Sequence, residues 1–283
     1  MTAVAARPRT SRPPRRGPRP SPWPVALAWA LGGVLALPVV VLLARAIGGG
    51  SLAAALGTPA VMDALALSLV TTGISLVLAV ALGLPLAIVL ARRRFRGSWL
   101  LETVVDLPIV LPPSVAGLAL LLVLGRRGLI GEPLDLAFGI TVPFTTVAVV
   151  VAQTFVSAPF FIRAARSGIA AVDRDLEDAA RVDGARERDV LRWVTLPLAS
   201  TALAAGLVLA WARAMGEFGA TIMFAGNVTG RTQTLPLLVY GEFQGGDVDA
   251  AIAAGAVLVL AAAGVLVAAR LLRRGRSLDA WSA

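Results

Sequence analysis

The sequence predicts an all-α, polytopic membrane protein with six transmembrane helices, and three observations carry that prediction. Hydrophobic residues make up 57% of the 283 positions against 15% charged, with a mean hydropathy of +0.81. That is more apolar surface than one water-soluble core can hide. Apolar runs of about 20 residues, the length that crosses a ~30 Å hydrocarbon layer, recur along the chain. Arginines collect in alternate connections between those runs, the pattern of short loops held in the cytoplasm.

Taken in order, residues 1–22 form a basic Pro/Arg-rich tail expected to be disordered and cytoplasmic, because it lacks the large apolar side chains a fold must bury. Residues 23–272 form the membrane domain. Its spans are expected at Val25 to Ala44, Ala64 to Ala91, Val104 to Leu124, Thr141 to Ile162, Leu198 to Phe224 and Ala250 to Ala269. Residues 273–283 form a second cytoplasmic tail. With the N-terminus inside, the tail arginines, "RRRFR", the arginines from Arg163 to Arg192 and "RLLRRGR" are all internal. Arg45, Arg126, Arg127, Arg213 and Arg231 fall toward the outside, and Arg126 and Arg127 argue against the orientation. Both termini are therefore expected in the cytoplasm. The first apolar run is too long for a signal-peptide core of ~7 to 15 residues.

Cysteine and histidine are absent, which excludes disulfides, thiolate and imidazole catalysis and the commonest zinc ligands. All 26 basic residues are arginine, so the GK[ST] of a P-loop cannot occur. No metal or cofactor is expected in this chain, no nucleic acid is expected as a partner, and any ATP would be used by a partner. A secondary carrier would show inverted repeats and midplane ionisable groups, and no internal repeat is visible. An intramembrane hydrolase would lack a histidine base.

Between the fourth and fifth spans, residues 171–197 are dense in charge. Val172, Leu176, Ala179 and Ala180 recur at helical spacing, as do Val190, Leu191 and Val194, while Asp173, Arg174, Glu177 and Arg181 take the other faces. Gly184 separates the two runs and can take a positive φ. Pro197 suits the first turn of the next span. The expectation is a helix, a glycine turn and a second helix, with a small patch at Ala179 and Ala180 where another protein can approach. A solvated amphipathic loop on the membrane surface is the alternative.

The stretch "DAARVDGARERDVLRWVTLP" resembles the EAA loop of importer-type ABC permeases: E-A-A, three residues, Gly, nine residues, a branched apolar residue, any residue, Leu-Pro. Asp178, Ala179 and Ala180 match the first block, with Asp178 in place of Glu and Glu177 one residue earlier. Gly184, Val194, Leu196 and Pro197 follow at the matching distances. "RAMGEFGATIMFAGNVTGRTQTLPLLVY", Arg213 to Tyr240, and "DLPIVLPPSVAGLALL", Asp106 to Leu121, are similar to molybdate permeases, a pattern that sulfate and tungstate permeases largely share. The resemblance implies a type I importer architecture with Glu177 to Pro197 as the coupling element. It also implies a homodimer, two ATPase subunits carrying ATP and magnesium, and an extracytoplasmic oxyanion-binding protein, in a prokaryotic plasma membrane.

Other positions are candidates for the pore or its gate. Pro112 and Pro113, with Pro108, break the third span, and freed carbonyls persist in a membrane only where protein or water satisfies them. Arg213 and Glu217 are opposite charges one helical turn apart in the outer part of the fifth span, with Gly216 and Gly219 expected to permit close backbone approach. Gln153 in the fourth span is expected to join helices. The external loop carrying Asn227, Arg231, Thr232, Gln233 and Thr234 is rich in turn formers and hydroxyls, so it is expected to be ordered, with Arg231 able to attract an anion.

Overall fold

The computed structural model describes residues 22–93 and 95–279. The basic tail up to Ser21, Arg94 and the last four residues of the chain lie outside the described residues. The first unit, up to Val41, is formed by α1 (Pro22–Gly48), whose remainder belongs to the second unit. That second unit holds α2 (Ser51–Leu56), α3 (Pro59–Arg92), α4 (Ser98–Val110), α5 (Pro113–Leu124), α6 (Gly131–Phe138) and α7 (Thr146–Ala170). It continues through α8 (Arg174–Val182), α9 (Glu187–Val190), a π turn (Leu191–Thr195), α10 (Leu196–Met215), α11 (Gly219–Phe224), α12 (Leu235–Gln244) and α13 (Val248–Asp279). No strand occurs among the described residues. Five of these helices are long and apolar enough to cross a membrane, six spans in all when the bent α4–α5 pair counts as one.

The bundle is built on α3, α7 and α10, and sequence explains why they meet. Lipid is as apolar as leucine, so helices associate in a membrane by close packing of small residues and by polar contacts. Along α3, Ala64, Ser68, Thr71, Ser75, Ala79, Gly83 and Ala87 recur every three or four residues and are all buried. This stripe lies on α7, where a Cβ on Gly83 would come 2.8 Å from Ile162 Cγ1. A Cβ on Gly206 of α10 would come equally close to Ala164 of α7. Polar groups on the stripe find partners inside: Ser75 Oγ donates to Val150 O at 3.1 Å and to Gln153 Oε1 at 3.2 Å, and Gln153 Nε2 donates to Thr72 at 3.4 Å. Gln153 thus joins helices as its sequence context predicts.

Three expected boundaries are corrected. The third span is two helices bent by 117° at Leu111–Pro112, because Pro112 and Pro113 have no N–H to continue the ladder. The fourth begins at Thr146, where the Thr145 hydroxyl accepts from Ala148 N, and runs to Ala170. Arg163 and Arg166 therefore lie on the helix, beside Asp106 and Glu102 of α4. The fifth is already helical from Glu187 and ends at Met215, with α11 separate after it. Its π turn falls where the Pro197 ring would meet the Trp193 carbonyl in regular α-helix, and there Leu196 N bonds five residues back to Leu191 O. α13 runs as one helix through Asp279.

Candidate functional site

The segment from Ala171 to Pro197 folds as its spacing predicts, a helix, a glycine turn and a second helix. Asp173 caps α8 by accepting from Asp175 N at 3.1 Å. Asp183 ends it, and Gly184 turns the chain with φ +90°, a conformation that a Cβ makes costly. Asp189 then accepts from Arg186 N at 3.3 Å, opening α9. The turn is closed outside by Arg181, which donates to Asp178 at 2.6 Å and to Glu187 at 2.7 Å. The hydrogen bonds that Arg181 donates to Glu187 and then to Asp178 push its pKa above its ordinary value.

The faces of α8 are not distributed as hydrophobic periodicity predicts. Leu176 is 51% exposed and Val182 87%, beside exposed Asp178 and Ala179. Glu177, expected on a charged outer face, is only 4% exposed. Its Oε1 accepts from Arg92 Nη2 of α3 at 2.6 Å and from Thr195 Oγ1 of the π turn at 2.6 Å. The same guanidinium reaches Val172 O at 3.4 Å. A carboxylate given two strong donors can be buried where an unpaired one cannot. The outward face of α8 is left with two aliphatic side chains and a small residue. Of the remaining motif positions, Val194 and Leu196 are half-buried, Ala180 lies at the edge, and Pro197 is exposed at the start of α10.

Farther along the bundle, two broken helices lie against each other. α5 packs on α11, where a Cβ on Gly219 would come 2.7 Å from Pro113 Cβ and one on Gly117 would come 2.6 Å from Ala220 O. Gly216, expected to be part of a close approach, is exposed and has nothing nearer than Ala212 O at 3.5 Å; it serves instead as the point where α10 ends. Glu217 is 1% exposed, accepts from Arg213 Nη1, and accepts from Ala220 N at 2.6 Å. It lies past the end of α10 rather than within a continuous span, and so it fastens the break. Pro112 and Pro113 are exposed at the bend of the α4–α5 pair.

The loop from Gly226 to Thr234 is ordered, as its composition predicts. Asn227 Nδ2 donates to Leu237 O at 3.1 Å, and Thr232 accepts from Val228 N at 2.9 Å. Thr234 is buried, Gln233 half-buried, and Arg231 exposed, its carbonyl accepting from Thr146. This loop lies with the start of α7 at the end of the bundle opposite Arg92 and α8. Sequence reasoning missed Arg92, Thr195 and Gly117. The first two lie far from Glu177 along the chain and no spacing links them, and Gly117 carries no local turn signal.

Residues 83–277 match the family described as binding-protein-dependent transport system inner membrane component. The chain is 47% identical over 210 residues to the molybdenum transport system permease protein ModB of Mycobacterium tuberculosis, 74% of this chain and 79% of that one. It is 41% identical over 216 residues to ModB of Escherichia coli, 76% of this chain and 94% of that one. Among solved structures, a bacterial alginate ABC transporter in complex with an alginate pentasaccharide-bound periplasmic protein shares the fold, with TM-score 0.70, 18% identity, and coverage of 89% of this chain and 94% of that one. The chain is therefore a multi-pass membrane protein that belongs to the family of binding-protein-dependent transport system inner membrane components.

Proposed function

We propose that this chain is the membrane-spanning subunit of an ATP-driven importer that moves an oxyanion, molybdate, into the cytoplasm. The substrate is supported by relatives that are 47% and 41% identical to this chain over 210 and 216 residues and are named for molybdenum transport. The mechanism is supported by one observation above all: α8 turns Leu176, Ala179 and Val182 outward, an aliphatic face on a charged segment, suited to a protein partner. That partner is a cytoplasmic ATPase, present as two copies that hold ATP and magnesium. Two copies of this chain form the pore, and a loaded extracytoplasmic binding protein docks at the opposite face, near the loop from Asn227 to Thr234.

In this reading the arginine-rich end carrying Arg92 and α8 is cytoplasmic, as are both termini, in a prokaryotic plasma membrane. Closure of the ATPase pair draws the two α8 helices together, and the helices joined to them re-pack. The contacts at Gly219, Pro112, Pro113 and the Arg213–Glu217 pair lie in the part of the bundle that gates the path. The chain contributes positions and movement, not bond chemistry.

The test is reconstitution of the complex in vesicles with its binding protein loaded in turn with molybdate, tungstate or sulfate. Molybdate is expected to give the largest stimulation of ATP hydrolysis. Stimulation by sulfate or tungstate alone would transfer the assignment to that oxyanion, and no stimulation by any of the three would remove the importer reading.

A further inference from the structure

We propose that Arg92, Glu177 and Thr195 form a rigid tie that carries displacement of α8 into α3 and α10, with Glu177 a positioning residue rather than a contact for the ATPase. The inference rests on the docking role proposed for α8. It assigns parts to Arg92, which lies outside the coupling motif, and to Thr195, which fills the motif's unspecified position, and it turns Glu177 from the partner's side to the membrane side.

The geometry is that of a joint. One carboxylate oxygen, Glu177 Oε1, takes both 2.6 Å bonds, so its position is fixed by two helices at once. Arg92 is the last residue of α3, and its guanidinium also holds Val172 O, the carbonyl just before α8 begins. Thr195 is the last residue of the π turn, directly before α10. The covalent connections on either side of α8 are poor transmitters by comparison. Ahead of it lies a short turn, and behind it the exposed Gly184 turn. Movement applied at Leu176 and Val182 must pass through those turns, through the solvent-exposed Arg181–Glu187 pair, or through Glu177, which is buried on another face of the same helix. A buried ion pair is weak evidence for stability, since apolar replacements often serve as well. What this one supplies is a fixed orientation between three elements. The π turn that Pro197 imposes lies at this joint, and such turns are frequent at functional sites.

The test uses the assembled complex and the absence of native cysteine. Spin labels at Arg174→Cys, an exposed position of α8 away from Leu176, Ala179 and Val182, and at Val89→Cys on α3 report whether the two move as one. In the otherwise unaltered chain their distance is expected to stay the same between nucleotide-free and ATP-bound complexes. Glu177→Gln is expected to broaden that distance and to lower transport per ATP hydrolysed by about tenfold, the scale at which a broken link changes coupling. Thr195→Val, which keeps shape and loses the hydroxyl, should act in the same direction and serves if Glu177→Gln does not accumulate. A purely structural part would lower the yield of complex and leave transport per ATP unchanged. An unchanged ratio in both variants, or a label distance that shifts with nucleotide in the unaltered chain, overturns the inference. If the ATPase is retained in that experiment, the inference falls alone; if the unaltered chain retains no ATPase, the docking reading falls with it.

Discussion

Among the described residues, two ion pairs bury their carboxylates, and they are built in opposite ways. Arg213 and Glu217 are four residues apart and fasten a break within one stretch of chain. Arg92 and Glu177 join the end of one membrane helix to a helix outside the bundle, with Thr195 as a third member. The local pair fixes how a single helix ends, whereas the distant pair fixes how separate elements stand to each other. A variant at the first should disturb one break, and a variant at the second should disturb several helices.

The largest effect is expected from Glu177→Ala. It leaves the Arg92 guanidinium largely buried without its carboxylate, a change that costs about 3 kcal/mol or more at buried pairs. Thermal unfolding of the purified chain in detergent should show a clear loss of stability beside abolished uptake. A midpoint like that of the unaltered chain would mean the distant pair holds nothing.

At the local pair, Glu217→Ala should lower uptake more than the double variant Arg213→Ala/Glu217→Ala, because the single change strands a mostly buried arginine. Recovery in the double variant should be partial, since Ala220 N also loses its acceptor. Equal uptake by the two at matched membrane levels would show that the residues do not act together. Beside that break, Gly117→Ala would drive a methyl group against Ala220 O, an overpacking of roughly 1–3 kcal/mol. It should reduce stability and uptake together, and a variant as stable as the parent would show that α5 and α11 are less tightly apposed than described.

The contrast also explains what sequence made legible. Arg213 and Glu217 stand at helical spacing in an apolar run, so a one-dimensional pattern sufficed to pair them. The same holds for the Gly184 turn, which needs only a glycine between two periodic segments, and for six apolar spans. Arg92 and Thr195 sit on either side of Glu177 at distances set by packing, and no period encodes that. Hydrophobic periodicity also misplaced Glu177, because α8 buries a paired carboxylate and exposes its aliphatic residues, the reverse of a helix packing on a core. The bend at Pro112 was foreseen as a break, but its size depends on how α5 meets α11 through Gly117 and Gly219.

The smallest effect is expected at Arg181. Its bonds to Asp178 and Glu187 are exposed to solvent, and exposed pairs add little and are screened by salt. Arg181→Ala should leave the unfolding midpoint nearly unchanged at physiological salt. A loss as large as that of Glu177→Ala would erase the distinction between the outer and inner sides of α8.

The central claim, that α8 presents its outward face to a cytoplasmic ATPase, is tested most directly by site-specific cross-linking in the assembled complex. A single cysteine at Val182, the most exposed aliphatic residue of α8, carries a short photoactivated cross-linker, and a second chain carries it at Asn227 on the opposite end. The Val182→Cys chain should cross-link to the ATPase subunit and be labelled only from the cytoplasm, and the Asn227→Cys chain should do neither. Cross-linking of the ATPase from Asn227→Cys, or its absence from Val182→Cys in a complex that hydrolyses ATP, would contradict the account.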